Sequence, residues 1–565
     1  MKIITLSTDY HSLGFTYSYD PIVVEFCRML KNSWGFQQFN FDSTNKAWVF
    51  SSPTICEAIV AKFPQVEVSA QARAYLDKTA IELLEEQGRM NELQNLKEAK
   101  DSSIEIPGFK GTLYPYQKVG VEFIVKSGGR CILGDDPGLG KTAMTIASIL
   151  TLKPGKVLIV CPATLKYTWK SEVEKWSDLT CAVLDGKSDL SKIMDTDVIV
   201  VNYDLLKKFY SGLSKIPFGF MGLDESHLLK SGTTIRTKCV RALAKNIPYV
   251  VMLSATQVLN RPVELFSPLN ILDPKTWNDW HAFTIRYCGA RRTRFGLDVS
   301  GATNIEELQR RLSRQFMRRK KEEVLPDLPA KVRVEVPVDL DAKSQEDYSK
   351  AFNNFMRFLR ENRGKTDPEI MRVMQAEKLV RLNTLREVAV LGKVSPAIEI
   401  IENIISSGAK INVFSSFNAP LKELSTYFGS KAVMITGETS NEDRFEIVKK
   451  FQNDPEVQVF LGGFMSAGVG ITLTAASNVL FLDRAWTPSA MVQAEDRAHR
   501  IGSTFESITI YSMHANGTVD EQMKKMLTKK IEVIEGLTGE WNDMTYVQMV
   551  MSEIEGLALS TLKEN

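Results

Sequence analysis

The segment from Asp135 to Thr142, DDPGLGKT, constrains this chain more than any other stretch, because it joins the apolar run Arg130-Cys-Ile-Leu to the helix-like run Ala143-Met-Thr-Ile-Ala-Ser-Ile-Leu. Strand, Gly-rich turn and helix in that order make backbone amides converge on one point at a helix N-terminus. Anions bind there. Gly138 and Gly140 let the backbone approach without a Cβ in the way, Lys141 brings positive charge to β- and γ-phosphates, and the Thr142 hydroxyl suits a magnesium ion. Asp136, Gly138, Leu139, Gly140, Lys141 and Thr142 are therefore the expected phosphate cradle. Asp135 stands where the phosphate-loop pattern usually has its first glycine, with Gly134 next to it. The alternative is a junction that needs glycines for geometry alone.

Two later segments reinforce the first reading. Phe218-Gly-Phe-Met-Gly-Leu reads as a buried strand, and Asp224-Glu-Ser-His follows at its C-terminal end, where ligands of open α/β sheets bind. Asp224 suits the magnesium ion and Glu225 the base that orients an attacking water. His227 is read as a relay of nucleotide state, with a satisfied core histidine as the competing reading. Much further on, QAEDRAHRIG (Gln493 to Gly502) carries Arg497 and Arg500 three apart, which on a helix points both guanidinium groups the same way. They fit arginine fingers, whose charge stabilises a phosphoryl-transfer transition state only when two lobes close. A solvated face with Glu495 and Asp496 is the alternative.

The chain has 565 residues, too many for one core. No run of about eighteen apolar residues suggests a membrane span, and MKIITLSTDYHS lacks the build of a secretory signal, so a cytoplasmic location is expected, nuclear if the source is eukaryotic. The seven cysteines are scattered without a CxxC pair, which points to buried free thiols. Formal net charge is only +2, but between Arg286 and Lys321 eleven basic residues face three acidic ones. That run, with Arg318, Arg319 and Lys320 near its end, predicts phosphate-backbone contact or coupling between lobes, against a plain solvated face.

The expected fold class is α/β: two RecA-like parallel-sheet lobes with helical insertions between them, and a small α+β N-terminal domain. Residues 1–105 read as that small domain, with strands near Ile3 and Phe15, a helix from Ile22, a hairpin in FQQFNFDSTNKAWVF and a long polar helix from Ala70. Residues 106–272 read as lobe 1, with strands at Cys131–Leu133, Val157–Val160, Val198–Val201, Phe220–Leu223 and Val250–Leu253. Residues 273–409 read as helical insertions without strand alternation, 410–531 as lobe 2, and 532–565 as a helical tail.

Taken together, LYPYQ (Leu113 to Gln117), DDPGLGKT, CPATL (Cys161 to Leu165), NYDLL (Asn202 to Leu206), DESH, LSATQ (Leu253 to Gln257), FSSF (Phe414 to Phe417), SAGVGITLTAAS (Ser466 to Ser477) and QAEDRAHRIG resemble the Swi/Snf-related family of superfamily-two DNA translocases. FMRRKKEEVLPDLPAK, Phe316 to Lys331, is the marker that general helicases lack. The resemblance covers about Gly108 to Lys530 and implies an ATP- and Mg2+-dependent, DNA-stimulated ATPase that works as a monomer on double-stranded or branched DNA, with no membrane role. It implies that Gln117 reads the adenine edge, that Gly470 belongs to the nucleotide site, and that Ser254, Thr256 and Gln493 join His227 in coupling hydrolysis to lobe movement. Thr164, Asn202, Ser415, Ser466 and Thr472 correspond to residues on the nucleic-acid path; ordinary turn and cap chemistry is the alternative for each. Pro137, Tyr114, Thr472 and Ser503 depart from the common residues without removing a catalytic group.

The N-terminal FDSTNKAWVF is similar to the YDxxxKxW signature of the HARP domain, through Phe41, Asp42, Lys46 and Trp48, and points to the annealing-helicase subgroup. That subgroup implies strand annealing, branch migration or fork regression. An RNA-remodelling helicase and an ATPase-dead DNA-binding scaffold are the other readings; FMRRKK counts against the first, and intact Lys141, Asp224, Glu225, Arg497 and Arg500 against the second.

Overall fold

The computed structural model describes residues 2–6, 12–34, 39–193, 195–254, 262–293, 296–325, 328–362, 368–464, 471–486, 488–500, 503, 505–521, 523 and 524. The expectations at Thr256, Ser466 and Gly470 and for the tail 532–565 lie outside these residues. The chain divides into two units, Met1–Asn95 and Leu96–Asn565. No helix of the described residues is long and apolar enough to cross a membrane.

In the first unit five strands form one sheet in the order Phe39–Asp42, Ala47–Phe50, Leu13–Tyr17, Lys2–Leu6, Glu67–Val68, antiparallel except for the last pair. The hairpin shows what its sequence signature does. Asp42 accepts the Thr44 amide at 2.8 Å and the Asn45 side-chain amide at 2.7 Å, closing an Asx-type turn, and Lys46 takes a left-handed conformation at φ 50° to reverse the chain. Trp48 is buried, stacked on Phe39 at 4.9 Å, and donates its indole N–H to Tyr17 at 3.2 Å. Phe41, in contrast, is 43% exposed.

The second unit contains two all-parallel sheets among the described residues. The first runs Phe316–Met317, Arg130–Leu133, Tyr249–Leu253, Phe218–Asp224, Lys156–Cys161, Val198–Asn202, Cys181–Val183. Its inner strands are buried along their length, Val198–Asn202 at every residue, which is why they read as unbroken apolar runs. The second sheet runs Ala330–Val338, Ser507–Ala515, Asn478–Phe481, Ile411–Ser415, Val459–Gly463, Ala432–Ile435. Strand C-termini and the turns after them carry Asp135, Asp224, Ser254 and Ser415, so sheet polarity gathers the motifs at one end of each lobe.

The stretch 273–409 departs from the expectation of a purely helical insertion. It contains the exposed hairpin Arg291–Thr293 with Gly296–Asp298, the short strand Phe316–Met317 and the nine-residue strand Ala330–Val338. Phe316–Met317 pairs in parallel with Ile132 and Leu133 and becomes the edge of the first sheet. Ala330–Val338 pairs along its whole length with Ser507–Ala515 and becomes the edge of the second. One continuous segment thus borders both lobes.

Candidate active site

The phosphate loop is closed by its own glycines and braced from two sides. Gly138 and Gly140 sit at φ 88° and 79°, and the helix Lys141–Leu152 starts directly after them. The Lys141 ammonium donates to the carbonyls of Asp135 at 2.6 Å and Asp136 at 3.2 Å. Burial lowers its pKa, opposed by the carboxylates of Glu225, Asp135 and Asp224. From the helix Pro115–Lys126, the Gln117 amide donates to the Leu139 carbonyl at 3.1 Å and accepts the Tyr114 N–H at 3.0 Å, and the Tyr116 hydroxyl donates to the same Leu139 carbonyl at 3.0 Å. Gln117 therefore supports the phosphate loop through its side-chain amide.

The other brace is the segment around Phe316–Met317. Amides of Ile132, Gly134 and Asp136 donate to the carbonyls of Gln315 at 2.7 Å, Met317 at 2.7 Å and Arg319 at 3.1 Å, so the strand pairing continues past the sheet along the phosphate loop itself. Asp135 is wholly buried, and its carboxylate pairs with the guanidinium of Arg319 and accepts the Arg319 amide at 3.0 Å. Arg319 also donates to the Tyr116 carbonyl. Here the structure corrects the assignment of Arg319 to the nucleic-acid face: at 6% exposure, with its donors committed to Asp135 and Tyr116, the side chain points into lobe 1. Arg318 and Lys320, its neighbours, point outward, as alternation along an extended chain requires.

At the end of strand Phe218–Asp224 the two carboxylates have different surroundings. Asp224 Oδ2 accepts the indole N–H of buried Trp169 at 2.8 Å, its Oδ1 accepts the Glu225 amide at 2.9 Å, and its main-chain carbonyl accepts the Tyr203 hydroxyl at 2.8 Å. Burial, then the charge of Glu225, pushes its pKa up to about 6. Glu225 takes a left-handed φ of 50°, an uncommon state for a residue with a Cβ. Burial alone would raise its carboxyl, but His227 at 3.2 Å and the charges of Lys141 and Arg497 hold it below the ordinary value. His227 Nδ1 lies also 3.4 Å from the Ser254 hydroxyl, a line from Glu225 to the end of the next strand.

The arginines reach this site from lobe 2. The helix Pro488–Ala498 ends before Arg500, so the two guanidinium groups do not share a helical face as expected; Arg500 is aimed by bonds from its Nε to the Asp496 carbonyl at 2.9 Å and from Nη1 to Thr472 at 3.1 Å. Both arginines are nonetheless close enough for Glu225 to act on their charge. Burial, then Arg500, brings Arg497 down to about 9. Arg500 packs on the phosphate loop: a Cβ on Gly138 would lie 2.9 Å from Arg500 Cγ. Glu495 and Asp496 are buried, not a solvated face, and bind Lys321, Lys331 and Arg333 at 2.8 to 3.2 Å.

Several expected nucleic-acid contacts are placed elsewhere. Ser415 is buried and donates to Asp483 at 2.8 Å, Asn202 is buried at the end of its strand, and half-buried Thr472 accepts from Arg500. Thr164 is half-buried in the turn Ala163–Leu165 and Gln493 half-buried in its helix. Within the basic run, Arg286, Arg291 and Arg314 pair with Glu307, Asp298 and Asp273. Trp169, Tyr203 and Asp496 have roles in the site that sequence reasoning missed, since each acts through a partner far along the chain.

Residues 116–389 match the SNF2-related domain and residues 394–502 the helicase conserved C-terminal domain. The human protein named DNA annealing helicase and endonuclease ZRANB3 is 33% identical over 440 residues, 75% of this chain and 40% of that protein. The Xenopus tropicalis SWI/SNF-related matrix-associated actin-dependent regulator of chromatin subfamily A-like protein 1 is 30% identical over 511 residues, 88% of this chain and 52% of that protein. The chain thus spans about half the length of these relatives or less. The Sulfolobus solfataricus SWI2/SNF2 ATPase core in complex with dsDNA aligns with 81% of this chain and 98% of that one at 26% identity and a TM-score of 0.39. The two matched regions follow one another along the second unit, together covering most of the chain, and on that match the chain belongs to the SNF2-related family of helicase-like proteins.

Proposed function

We propose that this chain is an ATP-dependent translocase on double-stranded or branched DNA that anneals strands, migrates branches or regresses forks in repair, recombination or replication. The observation that carries the reading is the convergence of Arg497 and Arg500 from lobe 2 on the Lys141 loop and the Asp224–Glu225 pair of lobe 1. In that arrangement Lys141 and the loop amides bind the phosphates of ATP, Glu225 orients water, and the arginines meet charge that develops in the transition state. Asp224 and Thr142 would hold magnesium: two adjacent half-buried carboxylates at a strand end, one of them raised to about 6, fit a divalent cation at their side. Bound there, the ion would neutralise phosphate charge. His227 and Ser254 carry the state of Glu225 to the lobe interface, and Tyr167 of lobe 1, bonded to Glu442 of lobe 2 at 2.5 Å, belongs to the seam that opens and closes.

DNA as the partner rests on family membership and on the names of the relatives, one of which is called a DNA annealing helicase. The N-terminal unit serves as a substrate-recognition module in this reading, and exposed Phe41 is its contact residue. The test is steady-state ATP hydrolysis by the wild type and Lys141→Ala, alone and with duplex, forked and single-stranded DNA and structured RNA. Stimulation by duplex or forked DNA that Lys141→Ala abolishes is expected. Stimulation mainly by RNA, or hydrolysis under none of these conditions, would overturn the proposal.

A further inference from the structure

Lys321 touches both halves of the site. Its amide donates to Asp136 Oδ2 in the phosphate loop at 3.1 Å, while its ammonium pairs with Asp496 at 2.8 Å and donates to the His499 carbonyl at 3.0 Å on the arginine-bearing segment. Its Cε would lie 3.5 Å from a Cβ on Gly138, next to the Arg500 stem. The side chain is buried, and the same seam is fastened by His499 Nε2 against the Pro329 carbonyl at 2.9 Å. Asp496 stands between Lys321 and Arg500: its carboxylate takes the lysine and its main-chain carbonyl takes Arg500 Nε at 2.9 Å.

We propose that Lys321 is a positioning residue that holds Arg500 against the phosphate loop, so that the strap 316–338 delivers the arginines in step with the loop. This rests on the ATPase reading above. A cation that only stabilised the fold would serve equally well anywhere on lobe 2, as Arg333 does: it pairs with Glu495 at 2.8 Å from a strand of lobe 2's own sheet. Lys321 instead spans the cleft. A misplacement of about 1 Å at a catalytic group costs on the order of a hundredfold in rate.

The experiment compares Lys321→Met, which keeps length and apolar stem, with Arg333→Met in the full chain. For Lys321→Met a fall in kcat of roughly 10- to 100-fold is expected, with KM for ATP within about threefold of the wild type. Combined with Asp496→Asn it should lose no more than the larger single effect. Arg333→Met, which removes a partner of Glu495 alone, should keep kcat within about twofold. Amide hydrogen exchange gives a readout that needs no ATPase activity: loop amides over 136–141 should exchange faster in Lys321→Met and not in Arg333→Met. Normal kcat in Lys321→Met, or equal loss of rate and loop protection in both variants, would sink the inference. A wild type without nucleic-acid-stimulated hydrolysis sinks the ATPase reading instead, and the exchange comparison still decides the role of Lys321.

Discussion

Asp224 and Glu225 are neighbours in sequence with opposite electrostatics. The strand end buries Asp224 beside Glu225 and lifts its pKa to about 6, while Glu225 turns toward His227, Lys141 and Arg497 and stays ionised. Because the folded pKa of Asp224 exceeds the ordinary 3.8, its ionisation costs stability; the cost is complete above about pH 6 and disappears below the unfolded value. A cation must displace the proton below about 6, so the Mg2+ concentration for half-maximal hydrolysis should rise about tenfold per pH unit there. Trp169→Phe removes the indole donor to Asp224 and should start that rise at higher pH. A half-saturating Mg2+ concentration that stays flat from about pH 5 to 7 would contradict this role for Asp224. The carboxylate pair itself was readable because a strand end dictates where adjacent acids lie. Trp169 was not, since nothing in KYTWKSEVEKW states which carboxylate an indole will find.

At the level of elements, the inner strands of the first sheet announced themselves, whereas the edge strands of both sheets, and the inner strand Ser507–Ala515 of the second, did not. Val198–Asn202 is sandwiched on both faces and reads as an apolar run, whereas Ala330–Val338 alternates Lys331, Arg333 and Glu335 with valines at a sheet border and resembles a charged linker. Its period of two was present in AKVRVEVPV and identifies it in retrospect. Phe316–Met317 is too short to carry any period. The basic character of FMRRKK suggested a phosphate-binding surface, yet chain alternation sends Arg319 inward to Asp135. Removing one partner of a buried pair leaves an uncompensated charge and costs about 3–5 kcal/mol. Arg319→Met should therefore lower the melting temperature sharply by calorimetry. Loss of DNA affinity at unchanged thermal stability would restore the surface reading.

For the whole molecule, charge is balanced almost to neutrality at +2, and five of the eleven basic residues in the densest basic stretch pair with carboxylates of the chain itself: Arg286, Arg291, Arg314, Arg319 and Lys321. In the DNA reading proposed above, a grip by hydroxyls and backbone amides would release few counterions, so the slope of log affinity against log salt should have a magnitude below about 4. Fluorescence anisotropy between about 50 and 200 mM salt measures it, and a slope of about −7 or steeper would return the run to the DNA backbone. The strap has one more consequence. Cutting the gene after Leu272, where the sequence invites a boundary, would yield a lobe whose strand Arg130–Leu133 has lost its neighbour Phe316–Met317, and with it the cover on a row of backbone donors. Such a fragment should self-associate through that bare border. Anyone expressing the halves separately would do better to let the first run through Lys321.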